Sequence, residues 1–94
     1  MTSPVSEIAA RFKTHPQLSA FLNYCERLPP RDAACVLSST DMQKRLDGVD
    51  SVTLRLLSEV LNEMKSWYEN KQLYAEAAFW DLVADRIKDE INSR

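Results

Sequence analysis

The segment SVTLRLLSEVLNEMKSWYENKQLYAEAAFWDLVADRIKDEIN, residues 51–92, decides the fold of this chain. Its first half repeats apolar residues at helical spacing, on a face about 140° wide with charged residues away from its centre. These residues are Leu56, Leu57, Val60, Leu61, Met64, Trp67 and Tyr68. The stripe changes phase between Tyr68 and Leu73, which predicts a tight corner near residues 70–72. We therefore predict an antiparallel helical hairpin with helices over 51–69 and 73–92.

The second helix of this hairpin carries apolar side chains on two sides. One side suits the core and consists of Leu73, Ala77, Trp80, Val83, Ala84, Ile87 and Ile91. At about 100° per residue, a second apolar group lies elsewhere on the circumference. In so small a protein, such a helix either lies between other helices or exposes one side to a partner. We therefore expect an outward face that binds another protein chain and consists of Tyr74, Ala75, Ala78, Phe79 and Leu82.

Shorter helices are predicted before the hairpin, over 4–13, 16–28, 31–38 and 40–47. Ser3 can cap the first helix, and Thr14 stands at capping-box spacing from Gln17 for the second. The prolines at 29–30 end the second helix, and Ser39 or Thr40 begins the fourth. Residues 1–94 are thus predicted to form a single all-α domain. It is a compact bundle of four to five helices that ends in the antiparallel hairpin.

The composition favours a helical fold, and the net charge restricts the classes of partner. One glycine and four prolines among 94 residues are too few turn residues for a sandwich or barrel of many strands. The net charge of −2 indicates neither the basic face of a duplex-binding protein nor a dense acidic DNA mimic. With no apolar run of about 18 residues and no basic-then-apolar start, we expect a cytoplasmic protein without a membrane span.

The residue types that perform catalysis are not arranged for it. Cys25 and Cys35 match no zinc-ligand spacing, and we expect both to be reduced and at least partly buried. His15 stands alone before a proline, without a nucleophile or an orienting carboxylate. Paired carboxylates lie one turn apart on a face that we expect to be in solvent: Asp81, Asp85 and Asp89. We predict no enzymatic activity, no metal, no cofactor and no small-molecule substrate.

The segment RLDGVDSVTLRLLSEV, residues 45–60, resembles the DNA-binding helix-turn-helix. The resemblance rests on its Gly48-Val49 pair and on Thr53, which would open a recognition helix. Three residues depart from the small or apolar types that the motif has at their positions, namely Gln43, Lys44 and Asp47. Acidic side chains follow on the same helix, and these are repelled by a duplex.

The simpler interpretation of this glycine is a helix end followed by a helix start. Gly48 would leave the first helix in a left-handed conformation, and Asp50 would cap the next one. We adopt this interpretation and do not expect nucleic acid as a partner. A helix-turn-helix-like DNA-binding regulator that uses residues 41–60 is the alternative.

The segment MKSWYENKQLYAEAAFWDLVADRI, residues 64–87, is similar to a tetratricopeptide-type hairpin. In that family aromatic residues end the first helix, a short polar turn follows, and alanines pack at the start of the second. Trp67, Tyr68, Tyr74 and Ala77 carry the similarity, and Lys71 replaces the turn glycine. The resemblance implies a helical surface that accepts a peptide or a helix.

The eight aromatic residues divide between core and interface positions. Four lie centrally on core stripes: Phe12, Phe21, Trp67 and Trp80. Four others lie on flanks, where a partly polar ring suits an interface rim: Tyr24, Tyr68, Tyr74 and Phe79. We therefore expect a small protein–protein interaction module, either an adaptor, a chaperone or an inhibitor of a larger complex. Its partner is a second copy of the chain or a foreign target.

Overall fold

The computed structural model describes residues 4–94 and confirms the all-α fold class, since no strand occurs in this range. This range contains six α-helices, as many as the helical ranges named above, whereas the predicted bundle counted four to five. The helices are α1 Pro4–Arg11, α2 Pro16–Glu26, α3 Ala33–Leu37, α4 Thr40–Asp47, α5 Ser51–Asn70 and α6 Tyr74–Ser93, with a 3-10 turn at Pro30–Asp32. The predicted cap Ser3 lies outside the described residues.

The first two helices are shorter than predicted. α1 and α2 each end two residues early, at Arg11 and Glu26. A residue before proline is driven out of the helical region, and His15, before Pro16, has φ −120° and ψ 76°. His15 is thus the N-cap of α2 and makes no capping bond with its side chain. The predicted capping box is wrong, since Gln17 Nε2 instead donates to the carbonyl of Gly48 at 3.0 Å.

The core lies between the α5–α6 hairpin and the shorter helices. α1 packs on α2 and α5, while α3 packs on α6. Fully buried side chains come from most of the helices and include Leu18, Leu22, Met42, Leu57, Met64 and Ile87. Burying one such side chain contributes about 1.5–3 kcal/mol. The hydrophobic effect therefore holds the short helices onto the hairpin.

Two of the four aromatic residues predicted for the core are buried there. These are Phe21 and Trp80, while Phe12 is half-buried against the core. The prediction for Trp67 is wrong, because its half-buried ring lies at the surface beside α1 and lines a hollow with Ile8, Arg11 and Glu63. In this last turn of α5, the side chains of Trp67 and Tyr68 are only half-buried.

The corner between α4 and α5 differs from expectation in its backbone. Gly48 is right-handed, with φ −82° and ψ −3°, so the predicted left-handed exit from α4 is wrong. Val49 N–H closes a tight turn there on the Leu46 carbonyl at 3.0 Å. Ser39 caps α4 as predicted, its Oγ accepting from Met42 N–H at 3.2 Å. Asp50 occupies the N-cap position of α5 but makes no capping bond with its side chain.

The left-handed residue lies at the other corner, between α5 and α6, where the tight turn was predicted. Gln72 has φ 60°. Leu73 N–H donates to the Tyr68 carbonyl at 2.9 Å, and Gln72 N–H donates to the Glu69 carbonyl at 3.0 Å. This is the Schellman pattern, which usually has glycine in the left-handed position.

Buried polar contacts tie the end of α6 to the short helices. Glu90 is only 5% exposed and lies 3.5 Å from the guanidinium groups of both Arg86 and Arg94. Gln43 Nε2 donates to Glu90 at 3.3 Å, and Arg86 donates to Gln43 Oε1 at 2.6 Å. We call these four residues the Glu90 network. The network joins the last turns of α6 to α4.

Candidate functional site

The outward face, defined by Tyr74, Ala75, Ala78, Phe79 and Leu82, lies on the solvent side of α6. Tyr74 is 66% exposed and Leu82 is 46% exposed, and both alanines are exposed. Phe79 is half-buried. Within the described residues only four large apolar side chains are exposed, namely Val52, Leu73, Tyr74 and Leu82. Two of the four belong to the outward face, and a third immediately precedes it.

Leu73 was predicted on the core face of α6, and that prediction is wrong. It is 41% exposed and is the N-cap residue of the helix, with φ −94° and ψ 70°. Because its backbone is not helical, its side chain does not follow the helical spacing that would turn it inward. It adds apolar surface beside Tyr74 at the start of α6.

Phe79 belongs partly to the fold. Its ring meets the Trp80 ring edge-on, with centroids 5.0 Å apart and planes at 77°. It also packs against the buried core cluster. Since part of the ring remains accessible, Phe79 joins the core to the outward face.

A groove runs along one side of the outward face. Its volume is about 240 Å³, and it lies between the end of α2, the last turns of α5 and the start of α6. Its apolar lining consists of Leu28, Tyr68, Ala75, Phe79 and Trp80. Glu26 and Glu76 complete the lining, and no cation lines the groove among the described residues. Its apolar floor is thus flanked by carboxylates.

Sequence reasoning missed Glu26 and Leu28 as members of this site. Leu28 follows α2 and lies about 50 positions before Phe79 in the chain, so only tertiary packing brings the two residues to one groove. Leu28 is half-buried. No signal in the local pattern distinguishes a core position from the wall of a groove.

An ion-paired hollow borders the other side of the outward face. It lies between α5 and α6 and is lined by Lys65, Glu69, Tyr74, Ala77, Ala78 and Asp81. Lys65 Nζ lies 3.1 Å from Asp81 Oδ1 and 3.8 Å from Glu69 Oε1. The hydrogen bond and charge of Asp81 raise the pKa of Lys65. The outward face is therefore a ridge between an acidic groove and an ion-paired hollow.

Carboxylates continue the outer side of α6 beyond Leu82. At about 100° per residue, Asp85 and Asp89 follow Asp81 along the same side of the helix. Asp85 and Asp89 are exposed, and neither forms an ion pair within residues 4–94. The nearby cation Arg86 is held in the Glu90 network. Lys88 is exposed between Asp85 and Asp89, so the outer side of α6 is apolar first and carries charges of both signs afterwards.

The region of the helix-turn-helix resemblance offers a different surface from the one that this motif needs. Thr53, which would open a recognition helix, is buried. The side chain of Gln43 is occupied by Arg86 and Glu90. At the start of α5, the exposed side chains include Val52, at 73%, and the single cation Arg55. Thr53 and Gln43 therefore do not present free polar groups that could contact the bases of a DNA duplex.

The two cysteines are free and differ in environment. Cys25 is buried as predicted, and burial raises the pKa of its thiol to about 12, with Arg45 opposing the shift. Its thiol is therefore protonated near neutral pH and a poor nucleophile. Cys35 is exposed, so the prediction that it is at least partly buried is wrong. It lies on the five-residue α3, which is too short to turn every apolar residue toward the core.

His15 is exposed at the start of α2. Among residues 4–94, no three His, Cys, Asp or Glu side chains gather in a way that could hold a metal ion. In the same range, no helix combines the length and the apolar character needed to cross a membrane.

Comparisons of the chain with protein-family models, with curated proteins and with solved structures give no match. The similarity of residues 64–87 to a tetratricopeptide hairpin thus remains a local resemblance. The chemistry of the groove and of the outward face supports the functional proposal below.

Proposed function

We propose that this protein is a non-enzymatic protein–protein interaction module whose outward face on α6 binds another protein chain. One observation carries the proposal: Tyr74 and Leu82 are 66% and 46% exposed on a ridge beside an apolar groove. Exposed apolar residues grouped beside such a groove are typical of interaction sites. The groove, about 240 Å³, is smaller than the roughly 300–1,000 Å³ of small-molecule pockets. It suits a side chain of a partner.

The spacing on the outward face suits a helical partner. Tyr74, Ala78 and Leu82 form one row at four-residue spacing, and Ala75 and Phe79 form a second. Rows of this spacing are the ridges that interdigitate when two helices pack, about 8–10 Å apart. The alanines allow the close approach, while the larger side chains at each end of the rows limit sliding.

The roles that we propose for such a module are those of an adaptor, a chaperone or an inhibitor of a larger protein complex. All three need one stable surface that covers a segment of another protein. A surface on a long helix meets this need, because its side chains are held by a rigid backbone.

The test is substitution of an exposed residue that the fold does not need. Leu82→Asp should keep the circular dichroism spectrum and the melting temperature of the parent protein, and should abolish the complex with the partner. Val52→Asp is the matched control, because Val52 is also an exposed aliphatic residue but lies on α5. Phe79 is unsuitable for this purpose because it packs against the core.

The measurement is affinity purification of the tagged parent protein and both variants from the cells that express it, followed by quantitative mass spectrometry. Proteins that bind through the outward face should be depleted with Leu82→Asp and retained with Val52→Asp. Equal recovery of every associated protein with both variants would refute the proposal.

A further inference from the structure

The outward face has the features of a surface that packs against itself. We infer that its partner is a second copy of this chain, and that the two copies form a symmetric dimer through antiparallel α6 helices. This inference rests on the proposed function and adds the identity of the partner to it.

One stretch of α6 supplies both a hole between side chains and a side chain that fits such a hole. Ala75, Ala78, Phe79 and Leu82 have the i, i+3, i+4 and i+7 spacing that surrounds a hole on the surface of a helix. Two of the four are exposed alanines, which leave room for an aliphatic side chain. Leu82 is 46% exposed, so it can enter the hole of a second copy as a knob.

Two-fold symmetry lets this contact form twice. In an isologous interface the same patch meets itself, so each copy offers both the knob and the hole. Antiparallel α6 helices place Leu82 of each copy in the hole of the other, with the symmetry axis midway between Ala78 and Leu82. Parallel helices would instead place the two Leu82 side chains beside each other, away from the holes. The positions of the large and small side chains therefore favour the antiparallel arrangement.

The two ends of this surface carry groups that complement each other. Lys71 is exposed, and its ammonium lies 5.8 Å from the centroid of the Trp67 ring and forms no ion pair within residues 4–94. The hydroxyl of the exposed Tyr74 is a second donor at this end. At the other end, Asp85 and Asp89 are exposed acceptors. The antiparallel arrangement brings the two donors of each copy to the level of the two carboxylates of the other.

Other charges near these ends weaken this attraction but do not reverse it. Lys65 is already ion-paired within its own chain, and the charge of Asp85 contributes to its raised pKa. Lys88 is exposed between Asp85 and Asp89, so these two carboxylates and one ammonium leave a single net negative charge. Asp89 forms no ion pair among the described residues. It is therefore the carboxylate available to Lys71 of the second copy.

The direction of the helices adds to the attraction. The N-terminus of a helix carries a partial positive charge, which attracts carboxylates near its first turn. In the antiparallel dimer, Asp85 and Asp89 of each copy lie near the first turn of α6 in the other. A foreign helix would have to provide a knob, a hole and both signs of charge at matching positions. A second copy has all of these groups in place.

Sedimentation equilibrium of the full chain, from micromolar to millimolar concentration, tests the inference. The parent protein should form a reversible dimer. Leu82→Asp should stay monomeric over the whole range, because the dimer would bury a carboxylate in each hole. Val52→Asp is the matched control: Val52 is an exposed aliphatic residue on α5, and this variant should dimerise as the parent protein does. Circular dichroism should give the same spectrum for all three proteins.

An exchange of charges tests the antiparallel arrangement. Lys71→Glu should weaken the dimer about tenfold, because two attractive contacts with carboxylates become repulsive. Adding Asp89→Lys to the same chain restores opposite charges and should return the dissociation constant to within about threefold of the parent value. Lys13→Glu is the control for the first change, since Lys13 is exposed after α1. Failure of Asp89→Lys to restore the dimer would overturn the inference.

The remaining outcomes separate the inference from the proposed function. A parent protein that stays monomeric would overturn the inference, while the proposed function stands if affinity purification recovers foreign proteins that depend on Leu82. A dimer that persists unchanged in Leu82→Asp would also overturn the inference, because the copies then meet through another surface. If, in addition, no associated protein depends on Leu82, the proposed function is overturned as well.

Discussion

The two halves of α6 belong to one helix and have opposite surroundings. Over residues 74–82 the outer side chains are apolar and largely exposed. Over residues 86–94 the polar side chains of Arg86, Glu90 and Arg94 contact α3, α4 and the turn after α4. The polar contacts of α3 and α4 thus lie along the second half of α6. A polar residue can therefore be buried on this helix while apolar residues stay in solvent.

Hydrogen bonding explains why the short helices pack on the second half. A helix end leaves backbone carbonyls without partners. Arg86 Nε donates to the Leu37 carbonyl at the end of α3, at 3.0 Å. Arg94 donates to the carbonyls of Leu46 and Val49 around the end of α4, both at 2.8 Å. Charged hydrogen bonds of this kind contribute about 1.5–3 kcal/mol each. The hydrogen bonds of Arg86 and Arg94 thus hold the ends of α3 and α4 against α6.

The largest effect on the free energy of unfolding is expected in the second half of α6, where Glu90 is buried. Glu90→Ala leaves two guanidinium groups without their shared carboxylate and should lower the free energy of unfolding by about 2–4 kcal/mol. Asp89→Ala, one position away and exposed, should change it by no more than about 0.5 kcal/mol. Urea unfolding followed by circular dichroism gives both values. Equal effects would show that the Glu90 network does not anchor α6.

A smaller effect is expected within the exposed half. Phe79→Ala should lower the free energy of unfolding by about 1–2 kcal/mol, because half of the ring packs on Trp80 and the core. Leu82→Ala should lower it by less than about 0.5 kcal/mol, since little packing is lost at the surface. Thermal unfolding by calorimetry compares the two. A larger loss for Leu82→Ala would place Leu82 in the core and remove it from the outward face.

The smallest effects are expected at the two corners before and after α5. Gln72→Gly relieves a left-handed φ of 60° just before α6 and should raise the free energy of unfolding by about 0.5 kcal/mol, after the flexibility of glycine is subtracted. Gly48→Ala should also raise it by about 0.5 kcal/mol. Its backbone is right-handed, and an added Cβ meets only the Arg45 carbonyl oxygen, at 3.7 Å.

Chemical denaturation of the two single variants and of their combination measures these gains. The two corners are distant along the chain, so their effects should add. A loss of stability in Gly48→Ala would indicate that this corner needs glycine after all.

Local patterns predicted the elements well because each long helix carries its own signal. The stripe of α5 and the phase change after Tyr68 located the hairpin and its corner from residues that are neighbours in the chain. The outward face was predictable in the same way, since a helix with two apolar sides shows both in its spacing. Tyr74 and Leu82 are exposed accordingly.

The errors have a common cause, which is the dependence of burial on neighbours far away in the chain. Trp67 was assigned to the core from its place on the apolar stripe of α5, but its side chain is only half-buried. The buried Glu90 went unnoticed because its partners Gln43 and Arg94 lie on α4 and at the end of α6. The glycine at position 48 suggested a left-handed turn, yet Gln72 adopts that conformation at a corner held by the packing of two long helices.

The order of residues by itself determined that this protein is helical, where its hairpin turns, and that α6 has apolar side chains on two sides. These properties follow from helical spacing and capping, which act over a few neighbouring residues. Only the tertiary structure decided which side of α6 is covered, that Leu28 and Glu26 join Phe79 in a groove, and that Glu90 is buried. Those features depend on which helices pack against each other. The free-energy cost of burying a charge or exposing apolar surface depends on these contacts, which join residues that are distant in the chain.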